Sequence, residues 1–188
     1  MKILKHFKTI VRHKVIVCLE CIKCGQVWRG IMHDNSKFSF TEFLPSARYF
    51  QGDRSPIEAE KAAIEYSIAW QHHMGHNPHH WEYWIDFNSD GQVIANKIPY
   101  PYVVEMVCDW IGASMVYNNG KWNQSEPLKY YNKVRSGRHF HPDTERILVK
   151  FLKCINDKGL KEFHRMARSR VVKWFYEEVY DGKGGYGE

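Results

Sequence analysis

Eleven histidines stand among the 188 residues, and five of them fall within nine positions: His72, His73, His76, His79 and His80. Such density points to metal ligation or proton transfer, because neutral imidazole is the commonest nitrogen ligand and titrates near neutral pH. The segment runs Trp70-Gln-His-His-Met-Gly-His-Asn-Pro-His-His-Trp-Glu-Tyr-Trp84. On a helix, His72 and His76 share a face at i, i+4. Pro78 interrupts that helix, so His79 and His80 lie past a turn, and a metal site built across a helix end is expected. The competing reading is a histidine-rich surface loop, or histidines packed between Trp70, Trp81 and Trp84.

Other residues along the chain add to this set. His33-Asp34 is followed by Ser36-Lys37. A His-Asp pair alone is common, and a capping Asp beside an incidental His explains it equally well. His13 lies between Val11 and Val15, and Asp109 between Val107 and Trp110. A carboxylate among apolar neighbours must be paired or metal-bound, since an unpaired buried charge is costly. A salt bridge for Asp109 and a satisfied core histidine at 13 remain the alternatives.

The elements that position these residues read as helices. Ile3, Phe7, Ile10, Val11, Val15, Cys18, Leu19 and Ile22 give a helical period over 2–27, closed or broken by Gly25 and Gly30. A short connection spans 31–37. Ser39 or Thr41 caps a helix over 41–50. Ser55-Pro56 opens a helix from 56 to about 74. Between 75 and 101, Gly75, Pro78, Asn88-Ser-Asp-Gly91, Pro99 and Pro101 mark a small hairpin or ordered loop, with short runs at 83–87 and 92–98. Helices follow over 101–117, 126–135, 142–157 and 159–180, and Asp181 to Glu188 forms a frayed glycine-rich tail. The expectation is an all-α helical bundle with one irregular insertion around 82–100. It divides into a metal-binding domain over 1–157 and a basic C-terminal helix with tail over 158–188, packed on the same domain.

The order His13, His33-Asp34, Asp109 on an all-helical chain resembles the HD superfamily of metal-dependent phosphohydrolases. His33-Asp-Asn-Ser-Lys37 is similar to that superfamily's His-Asp-x-Gly-Lys signature, with Ser36 where glycine is usual. Uncharacterised HD-like bacterial and phage proteins look closer still. The matching strings are Arg29-Gly-Ile-Met-His-Asp-Asn-Ser-Lys-Phe-Ser-Phe-Thr-Glu-Phe43, His73-x-x-x-Asn77-x-His79-His80-x-Glu82 and Glu105-Met-Val-Cys-Asp-Trp110. The likeness covers residues 8–155 and says nothing of the substrate.

That resemblance implies a first metal held by His13, His33, Asp34 and Asp109. It implies a second held by His73 with His79 or His80, with Asp34 bridging. Such a mixed nitrogen and oxygen shell suits Mn, Fe, Co, Ni or Zn better than Ca. A metal-activated water would attack phosphorus, with Asp34, Lys37 and Glu105 as catalytic residues. Lys37 would neutralise the phosphate, and Glu105, one turn before Asp109, would orient water or a histidine. Arg12 or Arg48 would contact the anionic substrate. Trp81, with Trp70, Trp84 and Trp110, would offer a wall for a base, although core packing competes for most of them. His141 would approach from a late loop, or else Asp143 or Thr144 simply caps the next helix.

Composition narrows the alternatives. With 44% hydrophobic and 26% charged residues, disordered and collagen-like chains are excluded. No apolar run is long enough to span a membrane, and lysines and arginines interrupt the N-terminal stretch, so no signal peptide is read there. Cys18, Cys21 and Cys24 recur every third residue and read as reduced structural thiols, which implies a cytoplasmic setting. The net charge of +6 is concentrated near the ends and suits an anionic partner. The expected partner is a small phosphorylated substrate such as a nucleotide. A dinuclear-iron oxygenase on the same scaffold, and a non-catalytic module binding nucleotide or nucleic acid, are the alternatives.

Overall fold

A computed structural model describes residues 2–52, 54–118 and 120–179. The chain order is α1 (Lys2–Lys23), α2 (Val27–Met32), α3 (Phe40–Tyr49), α4 (Pro56–Ile64), α5 (Ile68–His76), β1 (Ile85–Phe87), β2 (Val93–Ala95), α6 (Tyr100–Tyr117), α7 (Glu126–Val134), α8 (Pro142–Lys158), α9 (Leu160–Ala167) and α10 (Arg170–Trp174). A π turn follows at Phe175–Val179. Short 3-10 turns cover Asn35–Phe38, Trp81–Trp84 and Arg135–Gly137. The all-α class is as expected, and the sheet is a single antiparallel hairpin with Asp86 opposite Ile94. Its turn is the Asn88–Gly91 segment, where Asn88 Oδ1 accepts from the Asp90 and Gln92 N–H groups. Among the described residues, no helix is long and apolar enough to cross a membrane.

Helix α6 is the axis of the molecule. Val103, Val104, Val107, Cys108 and Ile111 are fully enclosed along it. Val17 and Cys21 of α1, Leu148, Phe151, Leu152 and Ile155 of α8, and Phe163 of α9 complete the core. Each such side chain contributes about 1.5–3 kcal/mol by leaving water. The tight contact of α1 with α6 depends on Gly112. A Cβ there would stand 2.5 Å from Val17 Cγ2. Gly30 plays the same part between α2 and α1, where a Cβ would meet the Cys18 carbonyl oxygen at 2.9 Å.

Several boundaries differ from the sequence expectation, each for a local reason. The 2–27 helix ends at Lys23. Gly25 takes φ +77, and a separate short helix, α2, covers 27–32 and takes in the first two residues of the connection expected over 31–37. The 56–74 helix is two helices. Glu65 ends α4 at φ 70, and Ser67 caps α5 by accepting from the Trp70 N–H. The helices expected over 142–157 and 159–180 do meet at Gly159, φ +82, but the second is broken at Ser169, which caps α10. These C-terminal elements pack on the same core. Tyr100 Oη donates to the Ala167 carbonyl at 3.0 Å, and Tyr176 is bonded to Ile98 and Thr144. The glycine-rich tail lies outside the described residues. Helix α1 also differs in facing. Ile10, Val17 and Cys21 point inward, whereas Leu4, Phe7, Val11, Val15, Leu19 and Ile22 stand exposed on the opposite side.

Candidate metal centre

Four elements converge on one point. Helix α1 brings His13 and α6 brings Glu105 and Asp109. His33 and Asp34 sit in the corner between α2 and the 3-10 turn at 35–38. That corner is clamped to α1, because Lys14 Nζ donates to the carbonyls of Ile31 at 2.8 Å and His33 at 2.6 Å. Asp34 takes the left-handed conformation, φ 54, which among residues with a Cβ suits Asp and Asn best. His73 comes from α5, and the chain turns after Asn77 so that His79 and His80 face back toward it. Asn77 Nδ2 fixes the turn by donating to the His73 carbonyl and to Ser36 Oγ, both at 2.7 Å.

Two donor sets meet at Asp34. Its Oδ2 lies 3.5 Å from His13 Nε2 and 3.3 Å from His33 Nε2, and Asp109 Oδ1 lies 3.0 and 3.5 Å from the same two nitrogens. Its Oδ1 lies 3.3 Å from His73 Nε2 and 3.5 Å from His79 Nε2. His80 Nε2 is 2.9 Å from His73 Nε2 and joins that second set. Within each set the donor atoms all lie within 4.8 Å of one another. Donors bound to one transition metal at about 2.0–2.2 Å stand about 3.0–3.5 Å apart, which is the spacing found here.

A further carboxylate backs the histidines of each set. Glu105 Oε1 accepts from His33 Nδ1 at 3.0 Å and lies 3.2 Å from His79 Nδ1, so one side chain orients an imidazole in each set. Arg29, stacked 3.6 Å over Tyr102, holds the other Glu105 oxygen at 3.5 Å. Glu42 accepts from His73 Nδ1 at 2.8 Å and from His72 Nδ1 at 2.7 Å. Binding the Nδ1–H to a carboxylate leaves the Nε2 lone pair for a cation.

The residues present fit a bound cation. His13 Nε2, His33 Nε2, Asp34 Oδ1 and His79 Nε2 are buried with no hydrogen-bond partner, an arrangement proteins rarely leave unexplained. Burial alone would raise the Asp34 carboxyl, but His33, Lys37 and His73 outweigh it and hold it well below the carboxylate range. Burial likewise opposes ionisation of Asp109, and the neighbouring His13 and His33 outweigh it and hold the carboxyl well below the carboxylate range. Burial, with His79 and His73 beside it, holds His80 well below its ordinary value, so it is a neutral imidazole. Burial also keeps His73 below its ordinary value against the pull of Asp34 and Glu42.

The centre opens into a cleft of 530 Å³, lined by His13, Lys37, His73, His80 and Asp109 at one end. Of the expected metal ligands, His13, His33, Asp34, His73, His79, His80 and Asp109 are all brought together. His72 is turned away, stacked on His76 at 4.0 Å. Glu105 does not line the cleft. Its carboxylate instead reaches the Nδ1 atoms of His33 and His79, which suits the orienting role expected of it. Lys37 lines the cleft but spends its charge on Asp34 Oδ2, 2.6 Å away. Arg12 and Arg48 are exposed and off the cleft, since both lie on the solvent sides of their helices. Arg54 and Arg138 line it instead. Trp81 and Trp84 are not wall residues either. They pack against the core, Trp81 beside His139 and Phe140, and the walls come from Trp70 and Trp110. His141 caps α8 by accepting from the Asp143 N–H at 3.2 Å and belongs to neither donor set.

Sequence reasoning gave Glu42, Arg29 and Asn77 no role, although all three lie in the strings that carry the resemblance. Their roles rest on tertiary contacts. His6 was passed over as well, having no histidine or carboxylate near it in sequence.

The geometry can be set beside known proteins. No curated protein and no solved structure matches the chain. One family model, described as a family of unknown function (DUF5662), matches residues 2–154, a span that contains every residue of the centre and ends before α9. The chain therefore belongs to DUF5662.

Proposed function

We propose that this protein is a metal-dependent phosphohydrolase of HD type, with two divalent transition metals sharing Asp34. The observation that carries this reading is the Asp34 carboxylate, whose two oxygens face different histidine sets. His13, His33, Asp34 and Asp109 would hold one metal, and Asp34, His73, His79 and His80 the other. The three imidazoles and single carboxylate of the second set favour Mn, Fe, Co, Ni or Zn over Ca. A metal bound there supplies an acidified water and polarises a phosphoryl oxygen.

The chain's own residues do the rest. Glu105 and Glu42 hold the imidazole rings in place. Lys37, at the cleft end of the centre, offers its ammonium to the anionic group as well as to Asp34. Arg138 stands over the Trp110 and Tyr130 rings at 5.0 and 5.3 Å and donates to Tyr130 Oη, which fixes a guanidinium on the cleft wall. A nucleotide or another phosphate ester fits this pairing of cationic and aromatic groups. A reducing, cytoplasmic setting belongs to the same reading, since Cys24 and Cys108 remain thiols with sulfurs 3.8 Å apart.

The test is elemental analysis of protein purified without a metal-binding tag, followed by a phosphate-release screen. Two equivalents of transition metal and release from at least one ester are expected. No metal, with none taken up on reconstitution, ends the reading. The histidine-rich, carboxylate-bridged pair of sites also suits two irons. Two equivalents of iron with oxygen consumption and no phosphate release would select an oxygenase instead.

A further inference from the structure

The buried histidines of the metal centre each have an ion pair or hydrogen bond, and His164 is bonded to Glu20. His6 has neither. It is 3% exposed, and both Nδ1 and Nε2 are enclosed without a hydrogen-bond partner. Its ring is held between Phe43 and Phe50, with centroids at 5.3 and 5.1 Å, so its direction is fixed. It lines the same cleft as His13, Lys37 and Asp109. Seven residues separate His6 from His13, which places it on the same face of α1 two turns away, about 10 Å along the axis.

The chemistry of this ring selects its ligand. Burial, and behind it the charge of Lys37, lower its pKa to about 4. His6 is therefore a neutral imidazole, with one N–H donor and one acceptor nitrogen. A phosphate presents acceptors alone and leaves half of that capacity unused. A heterocycle that carries both donors and acceptors matches whichever nitrogen faces it. The cleft supplies flat walls for such a ring in Trp110, Tyr117 and Tyr130. Nothing else about His6 calls for a polar residue, because its immediate neighbours are aromatic.

We propose that His6 reads the organic end of the substrate, a nucleobase seated between the aromatic walls, two helical turns from the metal end of the cleft. The site rests on the phosphohydrolase reading for its phosphate, and not for the base.

The test therefore uses nucleosides without phosphate. Binding of adenosine, guanosine, cytidine and uridine to the full, metal-loaded chain is measured by calorimetry. At least one should bind. His6→Leu should weaken it about tenfold or more, the loss expected when a buried hydrogen-bonding group goes unmatched. His6→Gln, which keeps a donor and an acceptor, should recover most of the loss. The ligand-free His6→Leu protein should melt no lower than the parent, because an apolar side chain replaces an unpaired polar one. No binding at millimolar nucleoside, or equal binding by His6→Leu and the parent, overturns the proposal. Those results leave phosphate release from simple esters untouched. Conversely, His6-dependent nucleoside binding without phosphate release would keep this site and remove the hydrolase.

Discussion

The Lys37 ammonium stands 2.6 Å from Asp34 Oδ2, the oxygen that also faces His13 and His33. A cation held by His13 and His33 would therefore address the same atom as Lys37. Burial disfavours a charged lysine, but Asp34 and Asp109 more than compensate and raise its pKa above the ordinary value. A permanent positive charge at the mouth of the centre opposes a metal and attracts an anionic substrate.

Lys37→Met separates these two effects. Removing the ammonium relieves repulsion of the metal, so the variant should bind cation at least as tightly as the parent. Phosphate turnover should fall about a hundredfold, the loss typical of removing one charge-stabilising donor. Metal titration beside steady-state kinetics checks both halves. Weaker metal binding in Lys37→Met would mean that the lysine organises Asp34 rather than serving the substrate.

Asp34 itself calls for a chosen variant. Alanine at φ 54 adds backbone strain of about 1–2 kcal/mol to the lost carboxylate. Asparagine tolerates that conformation, so Asp34→Asn is the cleaner test. It should fold, bind markedly less metal in both sets and lose phosphate release. Retention of one full equivalent of metal would show that the two sets do not share this residue.

Much of this centre was legible in the sequence, and the reason is chemical. His13 and Asp109 are polar residues among apolar neighbours on helices, and such residues need partners wherever the chain folds, whereas Asp34 was legible only through the resemblance carried by His33-Asp-Asn-Ser-Lys37. The hairpin turn at Asn88–Gly91 and the cap at Ser39 were equally local signals. Other features were not local. Helix α1 carries two apolar stripes, and periodicity alone does not say that Ile10 and Val17 face the core while Val11 and Val15 face out. The break between α4 and α5 depends on Ser67, whose hydroxyl serves both the Trp70 N–H and Glu60. Arg12 adjoins His13 in sequence, but neighbours on a helix point about 100° apart, and Arg12 faces solvent.

Metal removal should be visible in stability. The unpartnered Nε2 atoms of His13, His33 and His79 gain partners only when a cation is bound. At a thousandfold excess over Kd, binding adds about 4 kcal/mol, or about 10 °C in Tm for a chain of this size. Chelation followed by thermal denaturation should show that drop, and Mn or Zn should restore it where Ca does not. A Tm indifferent to chelator would count against an occupied centre.

Glu20 gives a pH-dependent prediction away from the two donor sets. It is 3% exposed, and it accepts from His164 Nε2 at 2.7 Å and from Lys23 Nζ at 2.6 Å, which ties α9 to α1. Burial alone would raise its pKa, but the hydrogen bonds from His164 and Lys23 hold it below the ordinary value. A carboxyl lowered on folding stabilises the native state above its unfolded pKa of about 4.3. That contribution is lost as the pH falls through the folded value. Glu20→Gln should therefore cost about 2 kcal/mol at pH 7, and the difference from the parent should shrink as the pH falls below 4. Urea unfolding at pH 7, 5 and 3 measures it, and an equal difference at all three would rule out this origin.

Gly112 links packing to the metal site. A Cβ at this position would stand 2.5 Å from Val17 Cγ2 and 3.5 Å from the His13 ring. Alanine is the better helix former, and on an exposed helix it would stabilise by about 1 kcal/mol. Here α6 must instead move away from α1, which is an overpacking cost of about 1–3 kcal/mol. The displacement separates Asp109 on α6 from His13 on α1, now 3.0 Å apart. The first donor set should suffer most, because His73, His79 and His80 come from elsewhere in the chain. Gly112→Ala should thus lower Tm and lose about one equivalent of metal while keeping the other. Retention of both equivalents at reduced Tm would show that the α1–α6 spacing governs stability alone.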